Sequence, residues 1–592
     1  MDFYNEVSPS SLASDVPVPQ VSTERLAQKA KKLDVTEVPV SPSKNPPKHQ
    51  HVALEPAIQA RIDAELREFI ALQQAELGVT KTEHWRDVVH DGFTAEQRAT
   101  TTILVSGLTL AHDSFITAGL RGLGYKVLAL DCPDTEALQV GKEFGNRGQC
   151  NPTYFTVGNL VKTLQHMRDG GMSTEHILSN YLFLTAGACG PCRFGSYTTE
   201  YRKALRDSGF DGFRVALFQQ KGGLDQSGAT DAGLQMNLAF FVRVLLSIMV
   251  GDALNALMYR IRPYELEAGA TDRAVARCRA MLVKTLETPG DLWKMPATLL
   301  RVRRELAAIQ VDRLVPKPKV GIIGEFWAMT TEGDGNYKMP SFLEKEGAEV
   351  DVQLVTAWLL YNLWEVRWDT QRRMGLSGKD GGRWGLLDSG APGRTILNMH
   401  AADKALRVVF QTVANTMGLH GYTLPDMDEL SDAVQGLYHQ EVRGGEGHME
   451  VAKLLLNTKK RKVNLTLSVK PFGCMPSSGV SDGVQTVVQA LLPDALYLPV
   501  ETTGDGAVNV YSRVQMMLFK ARQVAERELN DELQKQGLDL AQARHKIAQN
   551  PWLRRTLRHE HRGAAATAAN VVAGMQGRAG QWWQQVQGLL PA

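Results

Sequence analysis

Short apolar runs alternate with amphipathic stretches along most of the chain, from about residue 100 onward. The runs have the length of strands, whereas the stretches between them carry apolar residues at helical spacing. They form two series of four, namely TTILVSG (101–107), KVLAL (126–130), YLFLTAG (181–187) and FRVALFQQ (213–220), then KVGIIGEF (319–326), EVDVQLV (349–355), KVNLTLSV (462–469) and ALYLPVE (495–501). Strands that alternate with helices are typical of parallel α/β layers. We therefore predict an α/β fold with two Rossmann-like parallel-sheet domains facing across a cleft, with a helical linker and a helical C-terminal tail.

Changes in composition along the chain predict five segments. The first 56 residues hold eight of the 25 prolines, which do not propagate a helix, so residues 1–55 are expected to form a disordered tail. The predicted boundaries of the rest are a first α/β domain (56–230) with Cys150 and Cys192, a helical segment (231–315), a second α/β domain (316–513) with Cys474, and a helical C-terminal region (514–592). Trp582 and Trp583, near the end, are expected to dock on the body of the protein or on a partner.

The charge balance and the cysteine content exclude several classes of protein. Lys and Arg total 66 against 64 Asp and Glu, a net charge of +2, so neither nucleic acid nor a membrane is expected as a partner. Six cysteines in 592 residues are too few for a disulfide scaffold, and the N-terminus lacks the pattern of a secretory leader, so we expect a cytoplasmic protein. The most apolar window (238–258) contains Arg243 and Asp252, which favours a buried core helix over a membrane span.

Three cysteine-bearing segments share one local design. Cys150 lies in RGQCNPTYF, Cys189 and Cys192 lie in TAGACGPCRFGSY, and Cys474 lies in KPFGCMPSS, each in a turn flanked by Gly or Pro. A thiolate near a helix N-terminus is stabilised by unpaired N–H groups, which lowers the pKa of the thiol. Because such turns meet beyond the carboxyl ends of parallel strands, distant cysteines can share one pocket. The pattern predicts a shared metal site.

Other roles for cysteine stay open on the residues alone. A cysteine is often a small, buried apolar side chain, and Cys132 and Cys278 are interpreted in this way. For the Cys-Gly-Pro-Cys of residues 189–192, a zinc site or a redox dithiol competes with an iron–sulfur ligand.

Several blocks of sequence resemble those of a known superfamily. The blocks are CNPTYFTVGNL (150–160), GPCRFGSY (190–197), IRPYE (261–265), VGIIGEFW (320–327), NYKMPSFLEKEGAEV (336–350), GGEGHME (444–450), PFGCMPS (471–477) and the stretch from ETTGDG to YSR (501–513). In their order and number they resemble the 2-hydroxyacyl-CoA dehydratase superfamily, and most closely the domain of uncharacterised function found in CoA-dehydratase activase-related proteins. The resemblance covers roughly residues 98 to 525.

The resemblance implies a [4Fe-4S] cluster held by three cysteines, which map to Cys150, Cys192 and Cys474. Cys189 stays open as a fourth ligand or as a neighbour, because the similarity centres on the Gly-Pro-Cys-Arg-Phe-Gly around Cys192. Arg193 adjoins a ligand, so its positive charge is expected to stabilise a reduced cluster, with an ordinary ion pair to a carboxylate as the alternative.

The resemblance also implies an electron donor. In relatives, an ATP-hydrolysing activator passes a low-potential electron to the dehydratase-type cluster. The sequence has no phosphate-binding G-x-x-x-x-G-K-[ST] motif, since GLSGKDGG (375–382) lacks the hydroxyl after Lys, and it also lacks the blocks of the family's ATPase. ATP hydrolysis is therefore expected from a separate activator protein, while an acyl-CoA substrate and a homodimeric or heterodimeric assembly stay open.

The function expected on these grounds is oxygen-sensitive, low-potential electron transfer, or reductive activation in CoA-thioester chemistry. The alternatives are a 2-hydroxyacyl-CoA dehydratase that acts directly on its substrate and a non-catalytic, zinc-stabilised scaffold. Polar residues in or beside the matching blocks are candidates for proton transfer or phosphate contact, with helix caps and salt bridges as the competing roles. They are Glu325, Glu446, His448, Glu501, Asp505 and Arg513.

Overall fold

The computed structural model describes residues 92–187, 192–219, 233–373, 390–442 and 446–576, together with six helical positions between residues 61 and 72. The chain divides into two compact units, Met1–Asp87 and Val88–Ala592. Both sheets and all the labelled elements belong to the second unit. The predicted tail (1–55), Cys189, the GLSGKDGG segment and the Trp582 and Trp583 pair lie outside the described residues, and the predicted domain boundaries stay predictions.

In the described part of the chain, eight strands form two four-stranded parallel sheets, which confirms the α/β class. The first sheet consists of β1 (Thr102–Val105), β2 (Lys126–Ala129), β3 (Tyr181–Gly187) and β4 (Arg214–Gln219). The second consists of β5 (Lys319–Gly324), β6 (Glu349–Val352), β7 (Leu465–Pro471) and β8 (Tyr497–Thr502). Each of the eight apolar runs overlaps one of these strands. The inner strands β5 and β7 are buried at every position, as expected where helices cover both faces of a parallel sheet.

The helices of the first half are α1 (Leu110–Arg121), α2 (Thr135–Phe144), α3 (Asn151–Asp169), α4 (Thr174–Asn180), α5 (Tyr197–Asp207), α6 (Leu238–Ile261), α7 (Ala270–Glu287) and α8 (Met295–Ala307). Those of the second half are α9 (Phe326–Thr330), α10 (Met339–Lys345), α11 (Val355–Arg373), α12 (Gly390–Met417), α13 (Met427–Ala433), α14 (His448–Lys459), α15 (Asp482–Leu491), α16 (Ala507–Lys535), α17 (Leu540–Gln549) and α18 (Thr567–Ala573).

The two sheets have the same strand order. The first runs β2-β1-β3-β4 and the second β6-β5-β7-β8, so in each the chain moves outward by one strand and then crosses to the other side of its first strand. The order therefore reverses between β1 and β3 in one sheet, and between β5 and β7 in the other. In open α/β sheets, the carboxyl ends of strands at such a reversal are the usual place for a ligand.

The apolar window at 238–258 forms the core helix α6, as the sequence predicts. α6 is the one described helix long and apolar enough to cross a membrane, and 61% of its most apolar window is buried inside the protein. The two charged residues of the 238–258 window have structural partners. Asp252 accepts hydrogen bonds from the backbone N–H groups of Val355 (2.9 Å) and Thr356 (2.7 Å) at the start of α11, and Arg243 donates to the Leu286 carbonyl at 2.7 Å.

Two glycines let α2 and α3 approach closely. A Cβ placed on Gly158 of α3 would lie 1.8 Å from the Ala137 carbonyl oxygen, and one on Gly141 of α2 would lie 1.9 Å from the Tyr154 carbonyl oxygen. Only glycine fits at both positions, so this contact fixes the start of α3, where Cys150 lies. The helix α2 was not predicted from the sequence; its N-terminus is capped by Asp134, which accepts a hydrogen bond from the Ala137 N–H at 2.9 Å.

Candidate functional site

Two of the three predicted cysteine ligands and one carboxylate candidate lie beyond the carboxyl ends of strands at the two reversals. Cys192 follows β3, and Cys474 follows β7 by three residues. Glu325 follows β5 directly and caps α9 by accepting a hydrogen bond from the Ala328 N–H at 2.9 Å. The strand order therefore brings chemistry-bearing residues to the positions where an open α/β sheet binds its ligands.

Cys150 is the N-cap residue of α3. Its backbone is extended (φ −75°, ψ 155°), and Pro152 occupies the first turn, where a missing N–H costs nothing. The thiol caps no backbone N–H of α3; its Sγ atom lies 3.2 Å from the hydroxyl of Thr153 and 3.2 Å from that of Tyr197. The side chain is buried and is held by two hydroxyl groups rather than by apolar packing alone.

Cys474 lies in the turn between β7 and the helical segment that leads into α15. Gly473, just before it, has a φ of +77°, a left-handed conformation that favours glycine. A Cβ at Gly473 would lie 3.3 Å from the Gln149 carbonyl oxygen and 3.4 Å from the Cα of Cys150. The turn that carries Cys474 therefore rests directly against the turn that carries Cys150.

Three further contacts join the cysteine-bearing turns. The Asn151 N–H donates to the Phe472 carbonyl at 3.1 Å, which ties the start of α3 to the Cys474 turn. The Asn151 side-chain amide donates to the Thr502 carbonyl at 2.6 Å, at the end of β8. Arg193 Nε donates to the Gly473 carbonyl at 3.1 Å, which ties the Cys192 turn to the Cys474 turn. Three segments that are far apart in sequence meet here.

The expected lowering of the thiol pKa is wrong for both buried cysteines. Burial raises the pKa of the Cys150 thiol, and the nearby Glu325 carboxylate raises it further. Burial also raises the pKa of Cys474 strongly, with added repulsion from Glu325 and Cys192. The helix N-termini do not offset desolvation, so both thiols are neutral at neutral pH when no metal is bound.

The Glu325 carboxylate interacts electrostatically with the same cysteines. Its burial raises the pKa of the carboxyl to about 7, against hydrogen bonds from the backbone of Ala328 and Trp327 that lower it. Because the Glu325 carboxylate raises the pKa of both the Cys150 and the Cys474 thiol, the three groups share one electrostatic environment. A carboxyl that titrates near neutral pH beside two thiols can accept or release a proton there.

A buried polar network supports the Cys474 turn. Ser477, which lowers the pKa of Cys474 by hydrogen bonding, donates its hydroxyl to Glu450 at 3.0 Å. Glu450 also accepts from Ser468 at 3.0 Å and lies 3.5 Å from Lys470 Nζ. The Cys474 segment and the resembling blocks that end at Glu450 and Ser477 pointed to this region, but a network that joins Lys470 and Ser477 to Glu450 was not predicted. Serine and lysine in a strand sequence carry no pattern that distinguishes a buried network from an exposed face.

Other polar candidates from the sequence lie elsewhere or have structural roles. Glu446 is buried, accepts a hydrogen bond from Gln353, and has its pKa raised to about 7 by burial. Burial lowers the pKa of His448 to about 4, and its Nε2 has no hydrogen-bond partner among the described residues. Arg513 donates to the Pro499 carbonyl at 3.1 Å, and the exposed Asp505 accepts from Thr503 at 2.6 Å.

Two cysteines predicted to pack as apolar side chains lie outside this site. Cys278 is fully buried on α7, within the largest apolar core. Cys132 is half-buried, and the pKa of its thiol is raised to about 11 by burial. A Cβ on Gly333 would lie 2.8 Å from the Cys132 sulfur, so the Cys132 side chain packs closely against the backbone of Gly333.

The donor chemistry of the Cys150, Cys192 and Cys474 turns suits an iron–sulfur cluster. Cysteine thiolates are the usual ligands of such clusters, and the glycine at 473 allows the backbone to approach closely. Among the residues that the structure describes, however, no group of three or more His, Cys, Asp or Glu side chains is already arranged to hold a metal ion. A Cys150 thiolate that ligates iron could accept hydrogen bonds from the hydroxyls of Thr153 and Tyr197, as cluster sulfurs do in iron–sulfur proteins.

Comparison with known proteins adds no family assignment. The chain matches no protein-family model and no curated protein.

Proposed function

We propose that the protein is an iron–sulfur protein in which Cys150, Cys192 and Cys474 hold one [4Fe-4S] cluster, with Cys189 as a neighbour or fourth ligand. It serves low-potential electron transfer or reductive activation in CoA-thioester chemistry, in the cytoplasm and under exclusion of oxygen. Each sheet with its helices forms a Rossmann-like domain, and the cluster lies in the cleft between them. The electron comes from a separate ATP-hydrolysing activator protein.

The observation that carries this proposal is the meeting of the three cysteine-bearing turns. Gly473 packs against the Cys150 backbone, and Arg193 bonds to the Gly473 carbonyl, although about 280 residues separate Arg193 from Gly473. Each turn also belongs to a block that resembles the dehydratase superfamily. Ligands of open α/β sheets bind near the carboxyl ends of the strands, so three thiols that meet in this region can share one ligand.

The chain's own residues would prepare the site for the cluster. When bound, the cluster supplies one-electron chemistry at low potential. Arg193 fixes the Cys474 turn through the Gly473 carbonyl and brings a positive charge next to Cys192, which favours a more reduced and more negative centre. Glu325, whose pKa is about 7, is placed to take up a proton when the thiols ionise on ligation.

The spectrum of the reduced protein in the presence of a thioester separates electron transfer from direct dehydration. We expect the EPR spectrum of the anaerobically reduced protein to be unchanged by lactoyl-CoA, a small 2-hydroxyacyl-CoA, and by CoA alone as the matched control. A spectral shift with lactoyl-CoA but not with CoA, accompanied by formation of the unsaturated product, would instead establish the direct dehydratase.

A further inference from the structure

A separate cavity of about 270 Å³ lies on the second sheet, beside β5 and β6. It is bounded by α13, by α14 and by the segment that contains His559 and His561. This volume is far larger than the about 10–15 Å³ that one water molecule needs. Lys462 and Glu429 are exposed at its rim, whereas Lys319 is buried in its wall. The cavity therefore has the size and the access of a small-ligand site.

Three of its cationic side chains make no ion pair within 4 Å among the described residues. Arg260 stacks over the Tyr422 ring, with its guanidinium carbon 5.2 Å from the ring centroid. The amino groups of Lys453 and Lys462 make neither an ion pair nor a hydrogen bond within the described residues. Burial lowers the pKa of Lys453 to about 8, although the carboxylates of Glu446 and Asp351 oppose this shift; repulsion from Lys462 adds to it. The cations repel one another in a partly desolvated space.

The carboxylates that line the cavity are mostly engaged elsewhere. Asp426 caps α13 by accepting hydrogen bonds from two backbone N–H groups, at 2.9 and 3.2 Å, and Glu429 is bonded to Lys460. Lys319 is paired with Glu349 at 3.3 Å, so it adds no uncompensated charge. Asp351 and the buried Glu446, which attracts Lys453, are left to oppose Arg260, Lys453 and Lys462. His559 is neutral, because burial holds its pKa well below the usual value.

We propose that this cavity binds a small phosphorylated ligand that carries at least two negative charges, through Arg260, Lys453 and Lys462. Lysine and arginine are the usual phosphate-binding side chains. Three cations face two carboxylates here, and burial raises the pKa of one of them, Glu446, to about 7, so positive charge is in excess in the cavity. The site is on the face of the second sheet rather than at the cysteine-bearing turns. It goes beyond the proposed function and does not depend on it.

Calorimetric titration of the full chain with inorganic pyrophosphate at low ionic strength tests the site. We expect saturable binding that weakens at least tenfold in Lys453→Met and in Lys462→Met. Lys546→Met, which removes an exposed lysine from α17, is the matched control and should bind as the wild type does. Because Lys462 is exposed, its replacement keeps the test valid if Lys453→Met does not fold.

Two results would overturn the proposal. One is the absence of saturable pyrophosphate binding to the wild-type protein, or equal binding by all three variants. The other is tight binding of citrate with none of pyrophosphate, which would assign the cavity to a polycarboxylate instead of a phosphorylated ligand.

Discussion

Replacing Cys474 by serine is expected to reduce the iron content of the anaerobically purified protein from about four ions per chain to below one. Serine keeps the size of the side chain, but its hydroxyl is a poor ligand for a cluster that thiolates bind. Cys474 is buried in a turn that packs on the Cys150 backbone, so no exposed residue can readily take its place. Iron and acid-labile sulfide analysis, together with loss of the visible absorption of the cluster, measures the effect.

Cys132→Ser is the control for this substitution. Cys132 is half-buried and lies outside the three turns, so its replacement should leave iron and sulfide unchanged. Equal iron in the Cys474→Ser and wild-type proteins, with both folded, would remove Cys474 from the ligand set and with it the proposed site.

Replacing Lys470 by methionine is expected to lower the free energy of unfolding by about 3–5 kcal/mol. Lys470 is 1% exposed, yet it carries a charge that is balanced by Asp482 and by Glu450 at 3.5 Å, with Gln485 accepting a hydrogen bond at 2.7 Å. Methionine fills the same volume but leaves Glu450 without its buried cation. Urea unfolding followed by circular dichroism measures the change.

An exposed lysine gives the matched comparison. Lys535 pairs with Glu532 at 3.1 Å, and its side chain is 70% exposed, so Lys535→Met should cost less than about 1 kcal/mol. If the two substitutions had equal effects, the Lys470 network would not stabilise the Cys474 turn.

The strands of both sheets could be predicted from the sequence because buried parallel strands are continuous apolar runs. KVGIIGEF and KVNLTLSV became the fully buried β5 and β7, and the boundaries differ by only a few residues. Helices of mixed composition were harder to predict. The pattern predicts no individual element in the mixed stretch between β6 and β7, although in its described residues this region contains α11, α12, α13 and α14. The packing of α11 depends on Asp252, which is about 100 residues away, and no local pattern reveals such a contact.

Only part of the candidate site could be predicted from the sequence. Turns after β3 and β7 follow from the alternation of strands and helices, and so does their position at the edges of the sheets. The direction of the thiol pKa shifts could not be predicted, because the pKa of Cys474 depends on burial and on Glu325, which lies about 150 residues earlier in the chain. The Tyr197 hydroxyl beside Cys150 was also missed, since an aromatic residue at the start of a helix usually indicates packing.

Anaerobic purification of the full chain, followed by iron, sulfide and zinc analysis and EPR of the dithionite-reduced protein, tests the central claim most directly. The account predicts about four iron and four sulfide ions per chain and a signal from one reduced cluster. One zinc ion per chain with no iron would contradict it and would leave the three turns as a structural zinc site.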